Sequence, residues 1–432
     1  MSGDACGKTN EEPFLSAQEA SAELGVSLGT LYAYASRGML RSEPVPGEPR
    51  ARRYPREDVI RLKDRKEMRR EPERAVPKAL SWGTPVLESA LTLLEGGRLY
   101  YRGKDVIALA REHSVEEVAA LLWTGSFDDA GALFHDEPPE LPRGVARLLD
   151  ASPLTPIERC QVALPMAGAS DHAAWDLRPQ AVAATGGRIL RLLARVAAGR
   201  AGARPAKRWP GIAATLQEGW APGRPEAAGP ISAALILAAD HELNVSAFTA
   251  RCVASAGSMP YDVVSAGLAA LKGNRHGGHS ERVEGLFREA MALGDARRTL
   301  VDRLRRGEEI PGFGQRLYPD GDPRGKALLS LAAEVAPDSP AVELSRALSE
   351  AGRDLLREHP NLDLGLVALA RALELPDHTP LAMFALGRTI GWLGHAIEQY
   401  VLGSLIRPRA QYVGERPAVV AVRGEGEDES EP

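Results

Sequence analysis

Apolar residues recur at three- and four-residue intervals through most of the chain from about residue 86 onward. Segments such as DVIALAREHSVEEVAALLWTG, PISAALILAADHELNVSAFTARCVASAG and VELSRALSEAGRDLLREH show this spacing with few β-branched alternations, which predicts amphipathic helices and a mainly α body. Gly- and Pro-rich stretches at 200–229 and 306–325 interrupt the pattern and predict loops between helices. The final segment, RGEGEDESEP at 423–432, predicts a solvated acidic tail. No internal repeat and no heptad run is visible.

Before the body, FLSAQEASAELGVSLGTLYAYASRGML predicts two short helices about a tight turn. Ser16 is placed to cap the first with Glu19 reaching back, and Gly25 to end it; Ser27 caps the second and Gly38 stops it. This is helix-turn-helix spacing. The second helix would present Ser27, Thr30, Tyr34 and Arg37, with Arg52 and Arg53 of the basic RARRY segment beside it as a wing touching phosphate. Gly25 to Gly29, GVSLG, also matches the G-x-S-x-G nucleophile elbow, but that motif needs a strand before the serine and a helix precedes it here, so Ser27 reads as a cap. Residues 71–85, EPERAVPKALSWGTP, carry three prolines and read as a linker.

TLYAYASRGML followed by RRYPREDVIRL resembles the winged helix-turn-helix of MerR-type and excisionase-type DNA-binding domains, which implies such a domain over 12–70. The long dimerising helix of MerR-type regulators is not evident, so DNA binding would need dimerisation from elsewhere. The competing reading is a degenerate domain that packs on the body or binds protein. Charge favours DNA: residues 27–78 hold 14 basic and 8 acidic groups.

Elsewhere the balance is acidic. The chain's 53 Lys/Arg against 58 Asp/Glu give a net charge of -5, so the whole molecule is no generic polyanion binder. Its 432 residues, 44% hydrophobic and 26% charged, allow two or three globular domains. Cys6, Cys160 and Cys252 are far apart and form no C-x-x-C pair, which excludes a disulfide framework or zinc knuckle. A polar, acidic N-terminus without an apolar h-region, and no apolar run of 18 residues, predict a cytoplasmic protein with no membrane segment.

Five segments concentrate unusual polar residues: ADHELN (239–244), LKGNRHGGHSERV (271–283), PGFGQRLYPDGDPRGKAL (311–328), NLDLGL (361–366) and FALGRTIGWLGHAIEQYVLGSLIRPRAQYVG (384–414). Each alone is weak. Behind His276, Gly277 and Gly278 would let backbone approach a ligand, or simply form a surface turn. Gly312 and Gly314 could offer backbone N–H groups to an anion, but Leu317 stands where a dinucleotide fingerprint needs its third glycine. His276 and His279 lack the further ligands a metal needs, and no metal is expected. Asp363 among leucines would have a raised pKa suited to a general base, or be a helix cap. Arg388, on a helix with little other charge, would want a carboxylate, from a ligand or from a structural ion pair.

In order, these segments resemble citrate synthases and their 2-methylcitrate synthase relatives, the match beginning at LESALTLLEGGRLYYRGKDVIALAREHSVEEVAALLWTG and ending at IRPRAQYVG. The resemblance implies a mostly helical homodimer, with a large domain over 86–280 and 381–415 and a small domain over 281–380 whose closure assembles the site. It implies no permanently bound cofactor, and acetyl-CoA or another acyl-CoA as cosubstrate. His276 falls on the histidine that holds the enolate and Asp363 on the base. His241, Arg324 and Arg388 fall on groups that hold oxaloacetate, Arg407 on the arginine given by the neighbouring subunit, and Phe384 on an aromatic near the site. Gly312 and Gly314 lie where backbone contacts to CoA are expected.

Gln315 departs from the family's G-F-G-H-R pattern, whose histidine the resemblance implies polarises the oxaloacetate carbonyl and protonates the product alkoxide: as the catalytic group there, an amide donates a hydrogen bond but carries no proton or charge, so activity is expected to be reduced or the electrophile different. NLDLGL departs beside the base, and His279 departs from G-G-A-N, either as a substitute donor or in place of a small residue at a helix start. The expected activity is condensation of an acyl-CoA with oxaloacetate or a related 2-oxo acid, releasing CoA. The alternative is a catalytically weakened, carboxylate- or acyl-CoA-sensing transcription regulator.

Overall fold

Caps set the first elements. Ser16 and Glu19 form a reciprocal capping box at the start of helix Ala17–Leu24, Gly25 ends it in the left-handed region, and Ser27 caps helix Leu28–Ser36 through Thr30 N. The computed structural model describes residues 14–45, 48–56, 58–60, 62–63, 87–203, 209–410 and 412–415. The linker expected at 71–85 and the acidic tail at 423–432 lie outside the described residues.

Chain contacts divide near residue 88 into two units. In the first, strands β1 (Phe14–Ser16), β2 (Glu43–Val45) and β3 (Glu48–Pro55) form an antiparallel sheet in the order β1-β3-β2. Leu15, Ala20, Leu24, Leu31, Leu40, Tyr54, Val59 and Leu62 close a core of its own.

The second unit is mainly α with a short antiparallel sheet of β4 (Thr92–Glu95), β5 (Arg98–Tyr101) and β6 (Lys104–Asp105). Its large core runs from Leu91 to Ile397, and a smaller one gathers Val283, Phe287, Leu300, Phe313, Leu348, Leu364 and Val367. The loop expected across 200–229 is corrected: helix Ile212–Trp220 lies within it, burying Ile212, Leu216 and Trp220. Tertiary packing outweighs the local breakers, since Trp220 Nε1 donates to Ala197 O at 3.0 Å. Among the described residues no helix is long and apolar enough to cross a membrane.

The buried helix Thr379–Leu402 organises the body. A Cβ on Gly387 would stand 2.3 Å from Leu235 O, and one on Gly391 2.4 Å from Asp240 Oδ1. Glycine at both positions therefore lets this helix press against the end of helix Ala228–Ala238 and the turn after it. That approach positions the candidate site.

Candidate active site

The turn after helix Ala228–Ala238 carries Asp240 and His241, with Glu242 held at φ 53°. Tyr101 Oη anchors it, accepting from Asp240 N at 2.9 Å and lying 3.0 Å from Asp240 O. Burial would raise the Asp240 carboxyl, but His395, 3.3 Å away, Arg388 and the Thr92 hydroxyl bring it down. His241 is buried, its Nε2 3.0 Å from Tyr318 Oη. Desolvation and the cations Arg324 and Arg388 push its pKa well below the usual value, so the ring is neutral.

His276 follows helix Pro260–Leu271, and its Nε2 lies 2.8 Å from Ser246 Oγ. Ser246 Oγ donates to Asn244 Oδ1 at 2.8 Å and accepts from Trp392 Nε1 at 3.1 Å. Burial, then Arg388, lowers the imidazole pKa to about 4. Gly277 and Gly278 serve a different approach from the ligand contact expected: Cβ atoms there would meet the Leu271 side chain at 2.6 Å and Lys272 O at 2.4 Å. The glycines fold His276 back against the preceding helix.

Asp363 stands in the first turn of helix Leu362–Ala372, and the cap is Asn361, whose Oδ1 accepts from Asp363 N and Leu364 N. Asp363 Oδ1 accepts from Ser280 Oγ at 2.5 Å. Burial raises its pKa, with His279, Ser280 and Arg324 pulling the other way. The fold thus gives a half-buried carboxylate that binds a proton more readily than an exposed one.

Two arginines provide positive charge. Arg324 is 2% exposed and gripped by Asp322 through Nε at 3.0 Å and Nη2 at 2.8 Å. Arg388 is 1% exposed, and its Nε donates to Ala238 O at 2.8 Å. No carboxylate among the described residues forms an ion pair with it, and its terminal nitrogens have no hydrogen-bond partner there. Desolvation depresses this guanidinium to about 10. The Phe384 ring lies 4.9 Å from the Arg388 guanidinium and edge-on to His276 at 6.1 Å.

The fold brings His241, His276, Arg324, Phe384 and Arg388 together: Arg388 acts on both imidazoles and touches the Phe384 ring, and Arg324 acts on His241 and on Asp363. Arg407 is not among them: it is exposed on the segment after helix Thr379–Leu402. Gly312 N donates to His279 Nε2 at 3.1 Å and Gly314 N to His359 O at 2.9 Å, so neither N–H is free in this conformation. His279 opens helix His279–Leu293 and uses Nε2 as an acceptor. Gln315 accepts weakly from Leu317 N at 3.5 Å. Sequence reasoning missed Tyr318, Asp322, Ser246 and Ser280. Tyr318 and Asp322 carried a signal in their place within RLYPDGDPRG; Ser246 and Ser280 carried none. Among the described residues no cluster of three metal-ligating side chains occurs.

A buried guanidinium without an ion-pair partner among the described residues, two neutral imidazoles and a half-buried carboxylate on a two-core helical fold suit an anionic ligand. Residues 79–409 match the model for the citrate synthase C-terminal domain, and the chain belongs to the citrate synthase family. It is 32% identical to citrate synthase of Haloferax volcanii over 360 residues, covering 77% of this chain and 95% of that protein. With citrate synthase 2 of Bacillus subtilis it shares 38% over 185 residues, 42% of this chain; against that relative the chain spans 50% of its length. Among solved structures, the citrate synthase of Thermoplasma acidophilum in ternary complex with carboxymethyl coenzyme A and oxaloacetate aligns with a TM-score of 0.67 at 27% identity, covering 78% of this chain and 96% of that one.

Proposed function

We propose that the chain condenses a short acyl-CoA, acetyl-CoA first among candidates, with oxaloacetate or a related 2-oxo acid and releases CoA. The observation that carries this is Arg388: a guanidinium desolvated to this degree, its terminal donors without a partner among the described residues, suits a substrate carboxylate. Arg324 and neutral His241 stand with it. The relative solved with an acyl-CoA analogue and oxaloacetate supports the same ligand pair.

Asp363 takes a methyl proton from the thioester while His276 donates to the enolate oxygen. The Ser246 hydroxyl donates to Asn244 Oδ1; once it turns to His276 Nε2, the single proton of neutral His276 stands on Nδ1, available to the enolate. The enolate carbon attacks the 2-oxo carbon, the carbonyl oxygen gains a proton, and water then cleaves the thioester to carboxylate and CoA thiol. Gln315 keeps an amide donor where the family has an imidazole; if that donor is poorer, the rate is lower. Arg407 would complete the site of a second copy, and the exposed Val401, Leu402 and Leu405 before it support a partner covering this segment.

The test is CoA thiol release with acetyl-CoA or propionyl-CoA, with and without oxaloacetate, using Asp363→Ala as control. Oxaloacetate-dependent release that vanishes in the variant supports the synthase. A sample that binds dicarboxylate by calorimetry and releases no CoA refutes it and favours a sensor.

A second reading concerns the first unit, where a capped helix pair with its own sheet and core supports a winged helix-turn-helix that binds DNA. Its wing arginines are partly committed: Arg53 lies 4.0 Å over the Phe14 ring and pairs with Glu43, and Arg52 donates to Ser42. Double substitution Arg52→Ala, Arg53→Ala should weaken binding across DNA sequences and flatten the salt slope by roughly 0.9 per lost phosphate contact. Unchanged anisotropy titrations would remove the wing from this reading.

A further inference from the structure

Gln315 leaves the carbonyl end of the proposed reaction without an imidazole, yet another donor stands one turn away. Tyr318 N donates to Gln315 O at 2.9 Å, and the Tyr318 side chain turns inward, 3% exposed. Its Oη lies 3.0 Å from His241 Nε2, and the Arg324 guanidinium lies 5.6 Å from its ring centre. Burial raises the phenol pKa, with Arg324 pulling the other way, so the hydroxyl keeps its proton at neutral pH. Gln315, by contrast, makes no hydrogen bond to His241, Arg324 or Arg388 among the described residues.

We propose that Tyr318 is the catalytic donor to the carbonyl oxygen of the 2-oxo acid, filling the role that an imidazole at position 315 would otherwise take. This rests on the condensation reading above. His241 is neutral, so one ring nitrogen carries a proton. With Nε2–H donating to Tyr318 Oη, the phenol proton is free to point at the substrate held by Arg388 and Arg324. As the new carbon–carbon bond forms, the carbonyl π pair moves onto oxygen and that oxygen takes the Tyr318 proton. His241 Nε2–H and the Arg324 field stabilise the phenolate. Solvent returns a proton to Tyr318 on product release, matching the methyl proton that Asp363 gives up to solvent.

The experiment is a double-mutant cycle on the full chain, reading CoA release with acetyl-CoA and oxaloacetate. Tyr318→Phe keeps the ring and its packing and should lower kcat about a hundredfold, the typical effect of one lost oxyanion donor, with KM for acetyl-CoA unchanged. In the Gln315→His background the same substitution should cost less than about fivefold, because the imidazole supplies the donor. An equal loss in both backgrounds makes Tyr318 structural and overturns the proposal, including the case where Tyr318→Phe prevents folding. A kcat within about threefold of wild type in the Gln315 background also overturns it. Wild-type protein with no oxaloacetate-dependent release sinks the condensation reading, and this inference with it, a result distinct from an active wild type with an unaffected variant.

Discussion

In the proposed reaction His276 works as a neutral imidazole, and the fold secures this at a cost in acid. Burial, with Arg388 nearby, sets the imidazole at about 4, whereas an unfolded histidine titrates near about 6.5. Between those values the unfolded chain binds a proton that the folded chain refuses. Stability is therefore full above about pH 6.5 and falls as the pH drops toward about 4. Integrating between the two states, the loss from His276 alone relative to pH 7 is about 2 kcal/mol at pH 5 and about 3 kcal/mol at pH 4. His276→Gln removes the titration and keeps a polar group beside Ser246. Denaturant unfolding of wild type and variant at pH 7 and pH 5, followed by tryptophan fluorescence, isolates the difference, because the carboxylates titrate alike in both. Wild type should lose about 2 kcal/mol more than the variant on acidification. Parallel losses would refute the argument that burial holds this imidazole neutral.

Asp363→Asn should lower CoA release by about 10²–10⁴-fold, the usual contribution of a positioned general base. In wild type the base works ionised and burial raises its pKa, so kcat should fall on acidification at a pH above the ordinary carboxylate range, read from a pH–rate profile. Arg388→Met removes a buried cation that draws Asp240 down and donates to Ala238 O, so thermal unfolding should come somewhat earlier than in wild type. The same variant should raise KM for the 2-oxo acid at least about tenfold, the lower end for a charged hydrogen bond; a stability loss with unchanged KM would make Arg388 a structural residue.

Much of the architecture was legible because helices announce themselves locally. Periodicity gave the helical body, and Ser16, Gly25 and Ser27 act as the caps their spacing predicted. Helix Ile212–Trp220 escaped because its Gly- and Pro-rich surroundings looked like loop, while its stability comes from Ile212, Leu216 and Trp220 packing on residues far away in sequence. Sequence order and motif also indicated which histidines, arginines and carboxylate to consider. They did not indicate Tyr318, which reaches His241 across 77 positions, or the Arg388 contact to Ala238 O across 150.

The chain by itself determined most of the secondary structure, helix Ile212–Trp220 excepted, and the kinds of chemical group available, since both depend largely on local spacing and residue identity. The tertiary structure decided which of those groups are free to act. It committed the Gly312 and Gly314 N–H groups to His279 and His359, tied Arg324 to Asp322, and left the terminal nitrogens of Arg388 without a partner among the described residues. Desolvation and hydrogen-bond partnering arise only when distant segments pack, and those two effects set the charge of His276, the basicity of Asp363 and the place of Tyr318 beside His241.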